Sequence, residues 1–336
     1  MNLFRIVPKR TNKSEYSGNP YRDVLTVLLF VFLLPYVISC LWGHIGKETE
    51  EVFRKKKTEE SVYIDEKHEV TLVGNRGTKY MTMQEYLIRK LKVVMPKEED
   101  GTMYEPEALK AQAVLLRTEL WSIFLSEEDD VVLSDDVSMY EQEDLYTEEE
   151  EAAYEAAVRE TDGIYLAYEG HPVKAAFFPV SNGQTRNAQE VLQSDSFPYL
   201  ISVKCEQDIL AKDYQSQAVF TKEEYAAQVR ELFGKEMSEQ DIWEKLEVVY
   251  DSAGYVIKAE VNGCYCSGES FRHAFGLSSA DFWVQWETDC VTFHVKGAGH
   301  GFGMSQYDAN KKAVSGDTFN QILEEYFFQA ELVKIE

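Results

Sequence analysis

The sequence predicts an α+β fold. Segments with an apolar residue every three or four positions are mixed with segments in which every second residue is apolar, and no strand–helix–strand unit repeats. Hydrophobic residues fill 44% of the 336 positions and aromatic ones 13%, enough to bury a sizeable core.

The elements follow in order. Residues 1–23 form a short polar segment. Val24 to Trp42 carries no charged residue, and its nineteen positions nearly match a ~30 Å hydrocarbon layer at ~1.5 Å per residue. It reads as one membrane helix, in which Pro35 is tolerated. The alternative is a cleaved leader, since Val37-Ile-Ser-Cys40 loosely matches a lipoprotein processing site that would lipidate Cys40. Arg5, Lys9, Arg10, Lys13 and Arg22 precede the helix, and Lys47, Arg54, Lys55, Lys56 and Lys57 follow it, so the positive-inside rule gives a tie. Residues 43–60 are a charged stalk, and a single folded domain occupies 61–336.

Within that domain, Val62, Ile64, Val70 and Leu72 predict strands over 61–73. A helix runs from Thr82 toward Val94 and stops before Pro96. Pro106 suits the first turn of the next helix, which presents Leu109, Ala113, Leu116, Leu120 and Phe124 near one face. From Ser126 to Glu151 there are thirteen acidic residues and no lysine or arginine. This insertion predicts a solvated loop running into a helix start, where acidic residues are favoured. A calcium site is the rival, but EF-hand spacing is absent. Glu148–Thr161 is helical. Ile164–Tyr168, Val173–Val180 and Leu200–Val203 are strands. Helices follow at Thr221–Phe233 and Ser238–Trp243. A hairpin pairs Leu246–Tyr250 with Tyr255–Val261. Gly268–Leu277 is helical, Asp281–Val295 is strand, and Ser305–Val314 and Thr318–Phe328 are helices.

Charge and cysteines limit the function. A formal net charge of −25 argues against a nucleic-acid partner, because phosphate binding needs a basic surface. Cys40 falls in the membrane segment, Cys264 and Cys266 share one side of a strand, and Cys205 and Cys290 stand alone. No CxxC or His-x-x-His occurs, so neither a metal nor another cofactor is expected. Buried free thiols are the simpler state, with one disulfide as the alternative for an extracellular domain.

The densest local signal is Gly297-Ala-Gly-His-Gly-Phe-Gly-Met-Ser-Gln-Tyr307, with four glycines at alternate positions around His300. Glycine accepts left-handed and crowded backbone, so this loop between strand and helix suggests a main chain shaped to admit something close to His300. The alternative is a bulged strand packed against other backbone. A phosphate loop fits less well, since the spacing is not GxGxxG and no lysine follows.

Four segments resemble one family. They are Pro106-Glu-Ala-Leu-Lys-Ala-Gln-Ala-Val-Leu-Leu-Arg-Thr118, Ala175-Ala-Phe-Phe-Pro-Val-Ser-Asn-Gly-Gln-Thr185 with Phe197-Pro-Tyr-Leu200, Phe271-Arg-His-Ala-Phe-Gly-Leu-Ser-Ser279, and the His300 loop. Together, and in this order, they resemble the stage II sporulation protein D (SpoIID) family, which includes the amidase enhancer LytB. The resemblance implies one extracytoplasmic domain with a central cleft over 61–336. It also implies a bacterial membrane location with a single pass through Val24–Trp42. The implied partners are peptidoglycan glycan strands, with other wall hydrolases or septal membrane proteins as further partners. Active members of the family are lytic transglycosylases. Their chemistry needs one glutamic acid that protonates the glycosidic oxygen, then serves as base while the muramoyl 6-hydroxyl closes a 1,6-anhydro ring.

In the family that glutamate precedes the Met-Pro pair. Here the segment ends Val93-Val94-Met95-Pro96, so Val94 stands where the acid is expected. An isopropyl group exchanges no proton. Glu85 lies nine residues earlier, ~13 Å along a helix. Glu98 and Glu99, just past Pro96, are the substitutes within reach. The resemblance also marks Gln112, Arg117, Ser181, Asn182, Thr185, His300 and Gln306 as residues that would bind substrate. Each has a plainer alternative: an ion pair for Arg117, a loop tether for Gln112, an ordinary turn for Ser181–Thr185. Tyr199 and Tyr307 would stack on sugars or fill the core. Two functions follow: a non-catalytic protein that binds glycan or regulates a wall hydrolase, or an active lytic transglycosylase with a relocated acid. A purely structural role is a third.

Overall fold

The computed structural model describes residues 63–74, 77–97, 101–126, 131–134, 146–234 and 237–335. They belong to one unit, Val62–Glu336. The predicted span Val24–Trp42, the stalk, and Glu98 and Glu99 lie outside the described residues. Among the described residues, no helix is long and apolar enough to cross a membrane.

The unit starts with a 3-10 turn, Asp65–Lys67, where a strand was predicted. A hairpin of β1 (Glu69–Gly74) and β2 (Gly77–Thr82) follows, with Val70 opposite Met81. Thr82 then caps α1 (Met83–Val94): its hydroxyl accepts from the Glu85 N–H at 3.1 Å, and the Glu85 carboxylate accepts from the Thr82 N–H at 3.2 Å. Glu85 is thus a capping residue. The helix stops before Pro96, as predicted. Next come α2 (Pro106–Ser126), β3 (Val131–Ser134) and α3 (Glu148–Glu160). Strand β3 pairs in parallel with β1, which corrects the expectation of a plain acidic loop. Three consecutive apolar residues, Val131-Val132-Leu133, outweigh the flanking charge, and Leu133 packs against the core.

Helix α2 departs most from its predicted single apolar face. Leu109, Ala113, Leu116 and Leu120 pack with α1, α3 and β1, while Ala111, Val114 and Leu115 pack into a second core on another side. A helix apolar nearly all round is a buried helix. This one separates two cores.

The second core gathers the rest of the middle of the chain. It uses β4 (Ile164–Tyr168), β5 (His171–Pro172) and β6 (Phe177–Phe178), and then α4 (Ala188–Leu192). The predicted strand 173–180 shrinks because Pro172 and Pro179 lack the N–H a ladder needs. Leu200–Val203 is irregular rather than a strand. The third core lies between two three-stranded antiparallel sheets. Its elements are β7 (Gln215–Thr221), α5 (Lys222–Phe233), α6 (Glu239–Ile242), β8 (Leu246–Tyr250), β9 (Val256–Val261), β10 (Cys264–Ser267), α7 (Gly268–Ala274), β11 (Asp281–Trp286) and β12 (Cys290–Lys296). The predicted run Asp281–Val295 is therefore a hairpin. The sheets are β8–β9–β10 and β7–β12–β11. The chain then returns to the second core through β13 (Met304–Ser305), α8 (Gln306–Val314), α9 (Phe319–Tyr326) and β14 (Glu331–Lys334). Cys205, Cys264, Cys266 and Cys290 are free thiols, the first two buried.

Candidate functional site

The structure joins three residues singled out in the sequence. Val94 ends α1, Gln112 sits in the middle of α2, and Gln306 opens α8. The last carbonyls of a helix lack partners within it. The Val94 carbonyl finds one in the Gln306 side-chain amide, which donates to it at 3.0 Å. The same nitrogen donates to Gln112 Oε1 at 3.0 Å. Amide orientation is fixed by this chain of contacts. A carbonyl only accepts, so Gln306 must present its NH2 group, and Gln112 must then present its oxygen. Gln112 Nε2 therefore points elsewhere. It is buried and has no partner among the described residues. Leaving such a donor unmet costs about 1–3 kcal/mol, and an oxygen from water or ligand would relieve it.

A second cluster is the turn after β6. The buried Ser181 donates its N–H to Asp208 at 2.7 Å, and its hydroxyl accepts from the Gly183 N–H at 3.0 Å. Asn182 donates through Nδ2 to the Ala253 carbonyl and to Asp281, both at 2.6 Å. Thr185 donates to the Ile201 carbonyl at 3.1 Å and accepts from the Val203 N–H at 2.8 Å. These three residues build the turn, and Ser181 and Thr185 are fully buried. Asp208 also accepts from the Ser305 hydroxyl at 2.7 Å, and Ser305 is the N-cap of α8. One carboxylate thus ties the Ser181 turn to the helix that presents Gln306. Burial pushes the Asp208 carboxyl up to about 6, with Asp308 adding repulsion, against hydrogen bonds from Ser181 and Ser305.

The glycine-rich loop joins both clusters. Its four glycines all have positive φ, from 73° to 108°. The crowding comes from the chain itself. A Cβ on Gly303 would lie 2.0 Å from the Ala176 carbonyl oxygen, and one on Gly297 2.7 Å from that of Val180. Gly297 and Gly303 press against backbone, Gly299 against the Phe178 side chain and Gly301 against those of Arg186 and Tyr255, so packing within the chain, half of it backbone, accounts for the glycines. His300 sits between Phe178 and Phe302, with ring centroids 5.6 and 6.0 Å away. Its Nδ1 accepts from the Phe302 N–H at 3.1 Å, which places the proton of the neutral ring on Nε2. Burial lowers its pKa, opposed by Glu269 and reinforced by Arg272. At neutral pH the ring is uncharged.

Arg186 holds this loop and carries no sequence signal that marks it. Its N–H donates to the Gly301 carbonyl at 2.8 Å, and its Nη1 to the His300 carbonyl at 3.3 Å. The guanidinium lies between the rings of Tyr255 and Phe302, 5.0 and 4.9 Å from their centroids, and pairs with Asp251 at 2.7 Å.

Arg117 stands apart. All five of its N–H groups are used inside the protein. Nε and Nη2 donate to Asp65 at 2.9 and 2.7 Å, Nη2 also to the Val158 carbonyl at 3.1 Å. Nη1 donates to Thr161 at 3.3 Å and to the Ile164 carbonyl at 3.1 Å. The side chain is fully buried. The ion-pair alternative is the one realised, and no donor is left for a sugar. Tyr199 is likewise a core residue, its hydroxyl accepting from the Lys174 N–H at 2.7 Å.

Comparison with known proteins places this arrangement. Residues 74–168 match the family model described as SpoIID, stage II sporulation protein. The stage II sporulation protein D of Bacillus subtilis (strain 168) is 32% identical over 272 residues, covering 76% of this chain and 75% of that protein. The stage II sporulation protein D of Bacillus amyloliquefaciens is 31% identical over 302 residues, covering 84% and 83%. Likeness of this extent over most of both lengths shows that the chain belongs to the stage II sporulation protein D family.

Proposed function

We propose that this chain engages peptidoglycan glycan strands without cutting them, and in doing so regulates a wall hydrolase. The observation that carries the reading is the amide cluster at the end of α1. Where the family resemblance expects a glutamic acid, Val94 has a carbonyl and an isopropyl group, and Gln112 offers a buried donor with no partner among the described residues. General acid catalysis needs a group that exchanges a proton within hydrogen-bond reach. Two amides and a carbonyl exchange none near neutral pH. They do suit hydroxyl and N-acetyl oxygens. Asp208 is occupied as a strut, and His300 is neutral with Nδ1 engaged. In this reading the domain is extracytoplasmic, anchored through Val24–Trp42, needs no cofactor, and takes wall hydrolases or septal membrane proteins as partners rather than nucleic acid.

The test is mass spectrometry of products from peptidoglycan and from peptide-free glycan strands, with the native protein and Val94→Glu side by side. The expected result is anhydromuramoyl ends from Val94→Glu alone. Such ends from the native protein would instead establish an enzyme with a relocated acid, and Glu98→Gln and Glu99→Gln would show which carboxylate supplies it.

A further inference from the structure

The sheet β7–β12–β11 has two unlike faces. One packs Phe282, Val291, Phe293 and Val295 into the third core. The other is uncovered by the described residues, and at its centre Trp283 lies directly opposite His294. The two rings stack at 3.9 Å with 9° between their planes. Trp283 remains 49% exposed, an unusual state for so large an apolar ring. His294 is held by Gln217, whose Nε2 lies 3.1 Å from Nδ1, and His294 Nε2 has no partner among the described residues. Gln285 extends the face on the same side of β11, exposed. Asp281 and Lys296 face each other in register and offset one another, and at the far end the Glu287 carboxylate accepts from Gln285 Nε2 at 3.5 Å.

The chemistry selects the occupant. A rigid, backed aromatic ring flanked by amides suits the apolar side of a sugar ring and the oxygens at its rim. Single-stranded nucleic acid also stacks on aromatics but requires a basic groove. This face carries Lys296 opposite Asp281 and a carboxylate from Glu287 beside Gln285, not a basic groove, in a chain of formal net charge −25. It also adjoins the candidate site. Asp281 accepts from Asn182 at 2.6 Å, in the Ser181–Gly183 turn, and β12 runs straight into the His300 loop. Trp283 lies two residues, ~7 Å, further along β11 from Asp281.

We propose that the outer face of this sheet, centred on Trp283 and His294, is a second saccharide-binding surface for a neutral N-acetylated glycan strand that continues from the candidate site past the Asn182 turn. The surface rests on the reading of the chain as a glycan-binding protein. It gives the protein a preference for long strands over short ones.

The test is binding of β-1,4-linked N-acetylglucosamine dimers and octamers to the full-length protein by calorimetry, with Trp283→Ala, Trp283→Phe and Gln112→Leu. Trp283 is a surface residue, so the thermal melt should be unchanged. The expected result is that Trp283→Ala weakens the octamer about 5–10-fold, the scale of one aromatic contact, and leaves the dimer unaffected. Trp283→Phe should retain most of the affinity, and Gln112→Leu should weaken both ligands. Unchanged octamer affinity in Trp283→Ala, with Gln112→Leu still weakened, would overturn the surface and leave the proposed function standing. No binding of either ligand by the native protein would overturn both. Self-association that disappears in Trp283→Ala while glycan affinity holds would give the face to a second copy of the chain and overturn the saccharide assignment.

Discussion

Gln112 and Arg117 lie five residues apart on α2, both fully buried, and both belong to the segment that resembles the family. Their surroundings differ completely. Arg117 spends every N–H on Asp65, Thr161 and two carbonyls. Gln112 holds Gln306 with its oxygen and keeps a nitrogen unmet among the described residues. Burial and motif membership are the same for the two. What separates scaffold from site is whether the protein satisfies the polar group itself. A saturated group holds elements together. An orphaned one in a well-packed place has a partner still to come.

That contrast is sharpest for Arg117→Ala, which strands the buried Asp65 carboxylate and should destabilise by about 3–5 kcal/mol. Arg117→Lys should recover only part, because a point ammonium cannot serve the forked acceptors. Urea denaturation measures both, and glycan affinity per folded molecule should not move. A binding defect at full stability would break the comparison. Gly303→Ala is the backbone counterpart. With φ +73° and the Ala176 carbonyl 2.0 Å from a Cβ, it should destabilise by roughly 2 kcal/mol or more, visible as a lowered midpoint.

Asp208 extends the saturated class to a titrating group. Its folded pKa, about 6, exceeds the ordinary 3.8, so between those values the folded protein binds more protons than the unfolded chain. Its contribution is fully present below the lower value and is lost as pH rises through about 6, on the order of 2–3 kcal/mol. Urea melts from pH 4 to 7 should show this slope, and Asp208→Asn should remove it. An identical slope in the variant would assign the effect to other groups. His300, with its lowered pKa, contributes in the opposite sense: its share is present above the ordinary histidine value and lost as pH falls through the folded one. Among these buried sites the smallest stability change belongs to Gln112→Leu. One hydrogen bond is lost and one orphan removed, so the net should stay within about 1 kcal/mol while glycan affinity falls up to ~10-fold. Large destabilisation with unchanged affinity would make Gln112 a scaffold residue after all.

Some of this was legible beforehand. The helices at 82–94 and 107–124, the hairpin 246–261 and the glycine loop carry strong local patterns, and the structure contains each of them. Strand β7 was not anticipated, because Ser216 and Ala218 make the inward side of Gln215–Thr221 only weakly apolar. Gln112 and Gln306 were both singled out, yet their contact spans 194 positions, and no periodicity reports a bond of that range. Asp208, Arg186 and Trp283 were missed for the same reason. An aspartate in an acidic stretch, an arginine after a turn and a tryptophan on a strand are ordinary until their partners arrive.

The amino-acid sequence by itself determined what depends on neighbours: helix starts and stops at Thr82 and Pro96, positive-φ glycines around His300, the α+β class, and the family through ordered motifs. It also determined that Val94 cannot exchange a proton, since that follows from the side chain alone. Only the tertiary structure decided which buried polar groups are satisfied. Hydrogen bonds are short-ranged and directional, and their partners come from elements far apart in the chain. Arg117 became a strut and Gln112 an open donor through contacts that α2 cannot specify alone.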